Sequence, residues 1–230
     1  MQAIVSDIHG NLAAFKAVLN DIEEHDVSEI VCLGDVVGYG PFPGECLDRA
    51  VEFEFTILGN HEQAVMVESA SEKFNSSARR AIEWTRSQLS LTGDQKELNA
   101  PRWDFMGSMP QTKTVDDTLF VHGSPRRPTR EYLRPHTLAR PRTCKDVFDR
   151  FERFCYVGHT HIPGVFREDG SFLIPEQVDY EYEFEDGKAI VNVGSVGQPR
   201  DRDTRACYVL RDEDGIEWRR VEYPVQETVD

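Results

Sequence analysis

The sequence predicts an α/β fold, and three observations carry that prediction. In the first half, short apolar runs alternate with stretches of helical periodicity, which implies parallel strands joined by right-handed crossovers. The second half changes to closely spaced apolar strands separated by Asp-Gly pairs, which are hairpin signals. Five of the strand-like runs end in turns rich in Asp, Asn and His.

Taken in order, Gln2 to Ser6 reads as a buried strand that enters a turn at His9-Gly10-Asn11. Leu12, Phe15, Val18, Leu19 and Ile22 then recur at helical spacing, so a helix is expected from Leu12 to Ile22. Glu29 to Leu33 is a second strand, ending in Gly34, and a short helix around Glu45 to Val51 precedes a strand from Phe53 to Leu58. Ser76 to Leu91 is a further helix, with Ala78, Ile82 and Leu89 on its inner face. Leu119 to Val121 and Cys155 to Val157 are short apolar strands, each running into a histidine-bearing turn. Gly164 to Ile174, Tyr180 to Phe184, Ala189 to Val193, Ala206 to Arg211 and Gly215 to Tyr223 complete the strands. Asp169-Gly170, Asp186-Gly187 and Asp214-Gly215 serve as their turns.

A chain of 230 residues suits one domain spanning 1–230 and buries enough surface to fold without a disulfide. Its five cysteines form no CxxC pair and read as reduced core residues. No apolar run approaches the length of a membrane span, and Met1 to Val5 shows neither a basic region nor a cleavage site. A cytoplasmic location is therefore expected, with no membrane partner. The net charge of −15 argues against a general nucleic-acid surface, yet it permits a phosphorylated substrate at a cation-bearing site.

The five turns are Asp7-Ile8-His9-Gly10-Asn11, Gly34-Asp35, Gly59-Asn60-His61-Glu62, Val121-His122-Gly123 and Gly158-His159-Thr160-His161. Loops beyond the carboxyl ends of parallel strands gather at one sheet edge, where ligands bind. Singly, each residue has an ordinary explanation: Asp7 as a cap, His122 as a turn histidine, Asn60 as a turn residue tolerating positive φ. Together, imidazoles, carboxylates and a carboxamide form a mixed N/O ligand set suited to Mn, Fe, Zn, Co or Ni. Seven ligands exceed one tetrahedral site but fit two sites sharing a carboxylate. Alternation in Asp-x-His and His-x-His would place both side chains on one face if the backbone there is extended.

These blocks, in this order and with gaps of 25 to 28 residues between the first three, resemble the calcineurin-like metallophosphoesterases. Tyr39, and the run Asn192-Val193-Gly194-Ser195-Val196-Gly197-Gln198-Pro199-Arg200, look like the small prokaryotic phosphodiesterase branch related to diadenosine tetraphosphate hydrolases. The resemblance implies two mixed sheets packed face to face as a sandwich, flanked by helices. It implies two divalent cations, manganese first, with Fe, Zn, Ni, Co or Mg as substitutes. Asp7, His9 and His161 would hold one, Asn60, His122 and His159 the other, and Asp35 would bridge them. His61, oriented by Glu62, would act on the leaving oxygen while a metal-bridging hydroxide attacks phosphorus. Asn11 and Arg200 are further candidates for substrate contacts. Glu62 stands where Asp is commoner, and the Asp-Arg pair of protein phosphatases is replaced by Val36-Val37-Gly38-Tyr39, which points away from phosphoprotein substrates.

From Pro125 to Arg142 the chain carries six arginines and one acidic residue, Glu131. One reading makes residues 124–142 an arginine-rich flap in which Arg126, Arg127 or Arg130 grips phosphate; the plainer reading is a solvated loop. The expected substrate is small, phosphorylated and nucleotide-like, with a phosphodiester ahead of a phosphomonoester or dinucleoside polyphosphate. The alternative is a non-catalytic binding module on the same fold.

Overall fold

The computed structural model describes residues 1–229. Its elements are β1 (Gln2–Val5), α1 (Leu12–Glu23), β2 (Glu29–Cys32), α2 (Pro43–Ala50), β3 (Phe55–Thr56), α3 (Asn60–Met66), α4 (Ser76–Gln88), α5 (Lys96–Ser108), β4 (Thr112–Val115) and β5 (Thr118–Val121). There follow α6 (Pro135–Leu138), α7 (Pro141–Phe148), β6 (Phe154–Val157), β7 (Gly164–Arg167), β8 (Phe172–Leu173), β9 (Glu181–Glu183), β10 (Ala189–Asn192), β11 (Ala206–Arg211), β12 (Gly215–Val221) and α8 (Gln226–Val229). They build two mixed six-stranded sheets, in the orders β3-β2-β1-β11-β12-β9 and β4-β5-β6-β10-β7-β8. The expected α/β sandwich is what the chain forms. No helix among the described residues is long and apolar enough to cross a membrane.

Burial follows the two-residue period of a strand. On β1, Ala3 and Val5 join an outer cluster with Phe15, Val18 and Leu47 of the flanking helices, while Ile4 faces the other way. Ile4, Val31, Val209 and Trp218 of the first sheet meet Phe120, Tyr156 and Val191 of the second in the central layer. Behind the second sheet, Cys155, Val157 and Ile190 pack against Leu138, Cys144 and Val147. The central strands are thus apolar on both faces, which is why they read as continuous apolar runs. Trp218 also ties the sheets, donating its indole N–H to the Asn192 carbonyl at 2.9 Å.

Each sheet contributes three mutually parallel strands. They are β1, β2 and β3 in one and β5, β6 and β10 in the other. The five motifs lie at the carboxyl ends of β1, β2, β3, β5 and β6, in the turns that follow or, for Asn60-His61-Glu62, in the first turn of α3.

Several expectations need correction. The strand expected over Phe53 to Leu58 is only Phe55–Thr56. Asp186-Gly187 is not a hairpin turn, because it joins β9 of one sheet to β10 of the other. Asp169-Gly170 and Asp214-Gly215 do close antiparallel pairs. Helices α3, α5, α6, α7 and α8 and strand β4 were not anticipated, and α6 and the start of α7 lie in the arginine-rich stretch read as a loop or flap. Pro101 interrupts the backbone bonding of α5, and β4 is a polar strand at the sheet edge with exposed side chains.

Candidate metal centre

The turns do not achieve their geometry through extended backbone. Asp7 (φ 54), His9 (φ 50), Asp35 (φ 52), His159 (φ 64) and His161 (φ 59) all occupy the left-handed region. Each such residue costs about 1–3 kcal/mol and persists only where its surroundings over-determine it. Here the first two turns brace each other: Asp7 N–H donates to Gly34 O, His9 N–H to Asp35 O and Gly10 N–H to Val36 O, at 3.0, 2.9 and 2.8 Å. Backbones also approach too closely for side chains, since a Cβ on Gly34 would lie 2.6 Å from Gly59 N. Asn60 departs from expectation in the opposite sense. It is the first residue of α3, with ordinary helical backbone.

All seven predicted ligand residues come together, each at least nine-tenths buried. His9 Nε2 lies 3.2 Å from His161 Nε2, and these nitrogens stand 3.7 and 3.2 Å from Asp7 Oδ1. A second group forms around His122 Nε2, with Asn60 Oδ1 at 3.0 Å, His159 Nδ1 at 3.0 Å and Asp35 Oδ2 at 3.3 Å. Asp35 Oδ2 is also 3.8 Å from His9 Nε2, so it stands between the groups.

The ring protons are fixed by what lies behind each imidazole. Nδ1 of His9, His122 and His161 faces the carbonyl of Val37, Leu33 and Gln198 respectively. A carbonyl can only accept, so each Nδ1 carries hydrogen and each neutral ring presents the Nε2 lone pair to the cluster. The carboxylates are divided in the same way. Asp7 Oδ2 accepts from the Ser6 hydroxyl and His159 N–H, and Asp35 Oδ1 accepts from His61 N–H at the start of α3. This leaves Asp7 Oδ1 buried without a hydrogen-bond partner and Asp35 Oδ2 turned to the imidazoles. Electron-rich atoms that converge in this way fit divalent cations, which would take the place of the one proton that the carboxylates favour on His122 Nε2.

Titration follows from this crowding. Burial and the neighbouring rings His61 and His161 hold His9 well below its ordinary pKa, and burial with His122 pushes His159 down to about 3. At His122 burial acts in the same direction, but the Asp35, Asp7 and Glu62 carboxylates outweigh it and raise the ring to about 9. Asp7 and Asp35 are held well below the carboxylate range, the surrounding histidines outweighing the cost of burial.

His61 sits beside the cluster with its ring 4.7 Å from that of His9, 4.8 Å from Tyr39 and 5.3 Å from Phe74. Burial lowers its pKa. Glu62 does not orient it. Glu62 Oε2 accepts from Asp35 N–H and Gly59 N–H, and Oε1 accepts from Val37 N–H, so the carboxylate clamps the Asp35 turn. Burial and the Asp35 charge raise Glu62 to about 7, against the pull of those donors.

The candidate substrate residues fare unevenly. Asn11 is 3% exposed and caps α1: Oδ1 accepts from Ala14 N–H and the Thr228 hydroxyl, and Nδ2 donates to Gly197 O. It has no free face for a substrate. Arg126 is tied to Glu131 and Asp146, and Arg127 is exposed. Arg200 is exposed beside Tyr39, a neighbour close enough to alter the phenol's titration. Sequence reasoning missed Tyr132, whose ring stacks 3.8 Å from that of His159. Its position ten residues beyond His122, in the arginine-rich stretch, was the available signal.

Fold and cluster together define a metal-dependent phosphoesterase. The calcineurin-like phosphoesterase superfamily domain matches residues 1–215, and the chain belongs to that superfamily. It is 37% identical over 234 residues to an uncharacterized protein of Methanocaldococcus jannaschii, covering 98% of this chain and 89% of that one. Among solved structures it resembles a metallophosphoesterase from Sphaerobacter thermophilus, at 35% identity and TM-score 0.81, over 99% of this chain and 90% of the other. A hypothetical protein from Pyrococcus horikoshii shares the fold at 19% identity and TM-score 0.75, over 100% and 91% of the two chains.

Proposed function

We propose that the protein hydrolyses phosphodiesters with two divalent cations, manganese first, and takes phosphomonoesters or dinucleoside polyphosphates less readily. The observation that supports this best is the position of Asp35 Oδ2, 3.8 Å from His9 Nε2 in one donor group and 3.3 Å from His122 Nε2 in the other. Asp7, His9 and His161 would hold one cation and Asn60, His122 and His159 the second, with Asp35 common to both. Divalent cations there would supply Lewis acidity, acidifying water and taking up charge on phosphoryl oxygens.

The remaining work falls to the chain. His61 N–H fixes Asp35 Oδ1, so the other oxygen of that carboxylate stays turned to the cluster. The His61 ring, kept neutral by burial, can hydrogen-bond through its N–H to the departing ester oxygen and stabilise the charge that develops there. Arg200, exposed at the rim by Tyr39, offers a fork to a phosphate oxygen. Tyr39 itself faces His9 and His61 where protein phosphatases carry an Asp-Arg pair, which favours a small diester over a phosphoprotein.

Metal-free protein re-supplied separately with Mn, Co, Ni, Zn, Mg or Fe tests the reading on bis(p-nitrophenyl) phosphate, p-nitrophenyl phosphate and a dinucleoside polyphosphate. Turnover should vanish on chelation and return with metal, fastest on the diester. Metal uptake with no turnover on any of the three would favour a binding module instead.

A further inference from the structure

A cavity of about 380 Å³ opens beside Asn60 and His159, within the size range of small-ligand pockets. One wall comes from α3 and the turn after it, with Gln63, Lys73 and Phe74; the other comes from the arginine-rich segment, with Thr129, Arg130 and Tyr132. The walls are joined by the Thr129 hydroxyl, which donates to Gln63 Oε1 at 3.1 Å.

Two features distinguish the cavity from ordinary surface. First, its aromatic rings continue the reacting centre: Phe74 packs on His61 and Tyr132 on His159, with Tyr132 still 41% exposed. Second, its lining is cationic in a chain of net charge −15. Arg126 is held by Glu131 and Asp146, whereas Lys73 and Arg130 are exposed and form no ion pair among the described residues. In a chain with 41 acidic and 26 basic residues, two cations line this cavity against one carboxylate, Glu72, among the described residues.

We infer that this cavity seats one arm of the diester, and that the arm is a nucleoside bearing a further phosphate. A flat base stacks on the exposed Tyr132 ring by displacing the Arg134 guanidinium, which stands 5.2 Å from its centre. The Gln63 amide, whose oxygen is already engaged by Thr129, keeps its N–H groups for the edge of that base. A second phosphate meets Arg130 and Lys73 through charge-assisted hydrogen bonds. The inference rests on the phosphodiesterase reading and adds the identity of the arm.

Three substrates releasing the same p-nitrophenolate test it on the metal-loaded protein. They are ethyl p-nitrophenyl phosphate, thymidine 5′-(p-nitrophenyl phosphate), and the latter with a 3′-phosphate. We expect kcat/KM to rise about tenfold with the nucleoside and about tenfold again with the phosphate. Arg130→Ala should remove the second step and Tyr132→Leu should shrink the first. These are ratios within one protein, so a general loss of activity cancels. Equal rates on all three substrates, or steps unchanged in the variants, overturn the inference while leaving the phosphodiesterase reading intact. Should none be hydrolysed, calorimetric titration with thymidine 3′,5′-bisphosphate still decides about the cavity. Binding tighter than thymidine, lost in Arg130→Ala, upholds the cavity and rejects only the catalytic reading; no binding rejects the cavity.

Discussion

Glu62→Gln separates two accounts of the same residue. The sequence suggested that Glu62 orients His61; the structure gives it three backbone donors, Asp35 N–H at 2.9 Å, Val37 N–H at 3.0 Å and Gly59 N–H at 3.1 Å. Alanine would leave all three buried and unpaired, at about 1–3 kcal/mol each. That loss of about 3–9 kcal/mol compares with a whole-protein stability of about 5–15 kcal/mol, so Glu62→Ala is expected not to accumulate as folded protein. Glutamine is gentler. Its carbonyl oxygen can still serve Asp35 and Gly59, but its NH2 group then faces Val37 N–H, and one acceptor is lost for about 1–3 kcal/mol. In a chain of this size the melting temperature should fall by about 2–12 °C. The Asp35 turn loosens with it, so metal affinity should drop by about 10–100-fold, as for other groups that orient ligands. Thermal unfolding and metal titration read the two effects. If both match wild type while the pH–rate profile shifts, Glu62 acts on His61 and the clamp account is wrong.

Four further outcomes are expected. Asp35→Asn should abolish turnover at saturating metal with the fold intact, because its carbonyl can keep His61 N–H while an NH2 group replaces the shared oxygen; circular dichroism and activity together check this. His61→Ala should retain both metals by elemental analysis yet lose about 10²–10⁴ in rate on esters with poor leaving groups, and much less with p-nitrophenolate. In metal-free protein the raised pKa of His122 gives stability that is complete below about pH 6.5 and lost as pH rises through about 9. The raised Glu62 acts in the same direction over a lower window, its contribution being lost as pH rises from about 4.5 through about 7. Thermal melts from pH 6.5 to 9 should therefore fall without metal and flatten once metal displaces the His122 proton. Finally, Arg126→Ala should change stability by no more than about 1 kcal/mol, its ion pairs being partly exposed, and should leave KM alike for nucleotide and simple diester substrates. A selective rise for nucleotides would restore Arg126 to the substrate site.

The sequence by itself determined which residues meet. Asp7, His9, Asp35, Asn60, His122, His159 and His161 each follow an apolar strand, and parallel strands deliver their carboxyl ends to one edge, so the cluster was legible from local pattern and chain order. The sandwich could be anticipated too, because its central strands are apolar on both faces. Tertiary structure alone decided how each side chain is held. The left-handed backbone of Asp7, His9, Asp35, His159 and His161 depends on contacts such as Gly34 against Gly59, 25 residues apart, which no local propensity encodes. The helix at Asn60 was hidden because the acceptor for His61 N–H is Asp35, 26 residues away. Asn11 looked available for substrate because Thr228 and Gly197, which occupy it, are distant in sequence, whereas Arg126 is held by the nearby Glu131 as well as by the distant Asp146. Tyr132 carries no motif, and only the packing of the arginine-rich segment sets its ring on His159. Residue types advertise what a side chain can bond to; which bonds are already taken is a property of the folded chain.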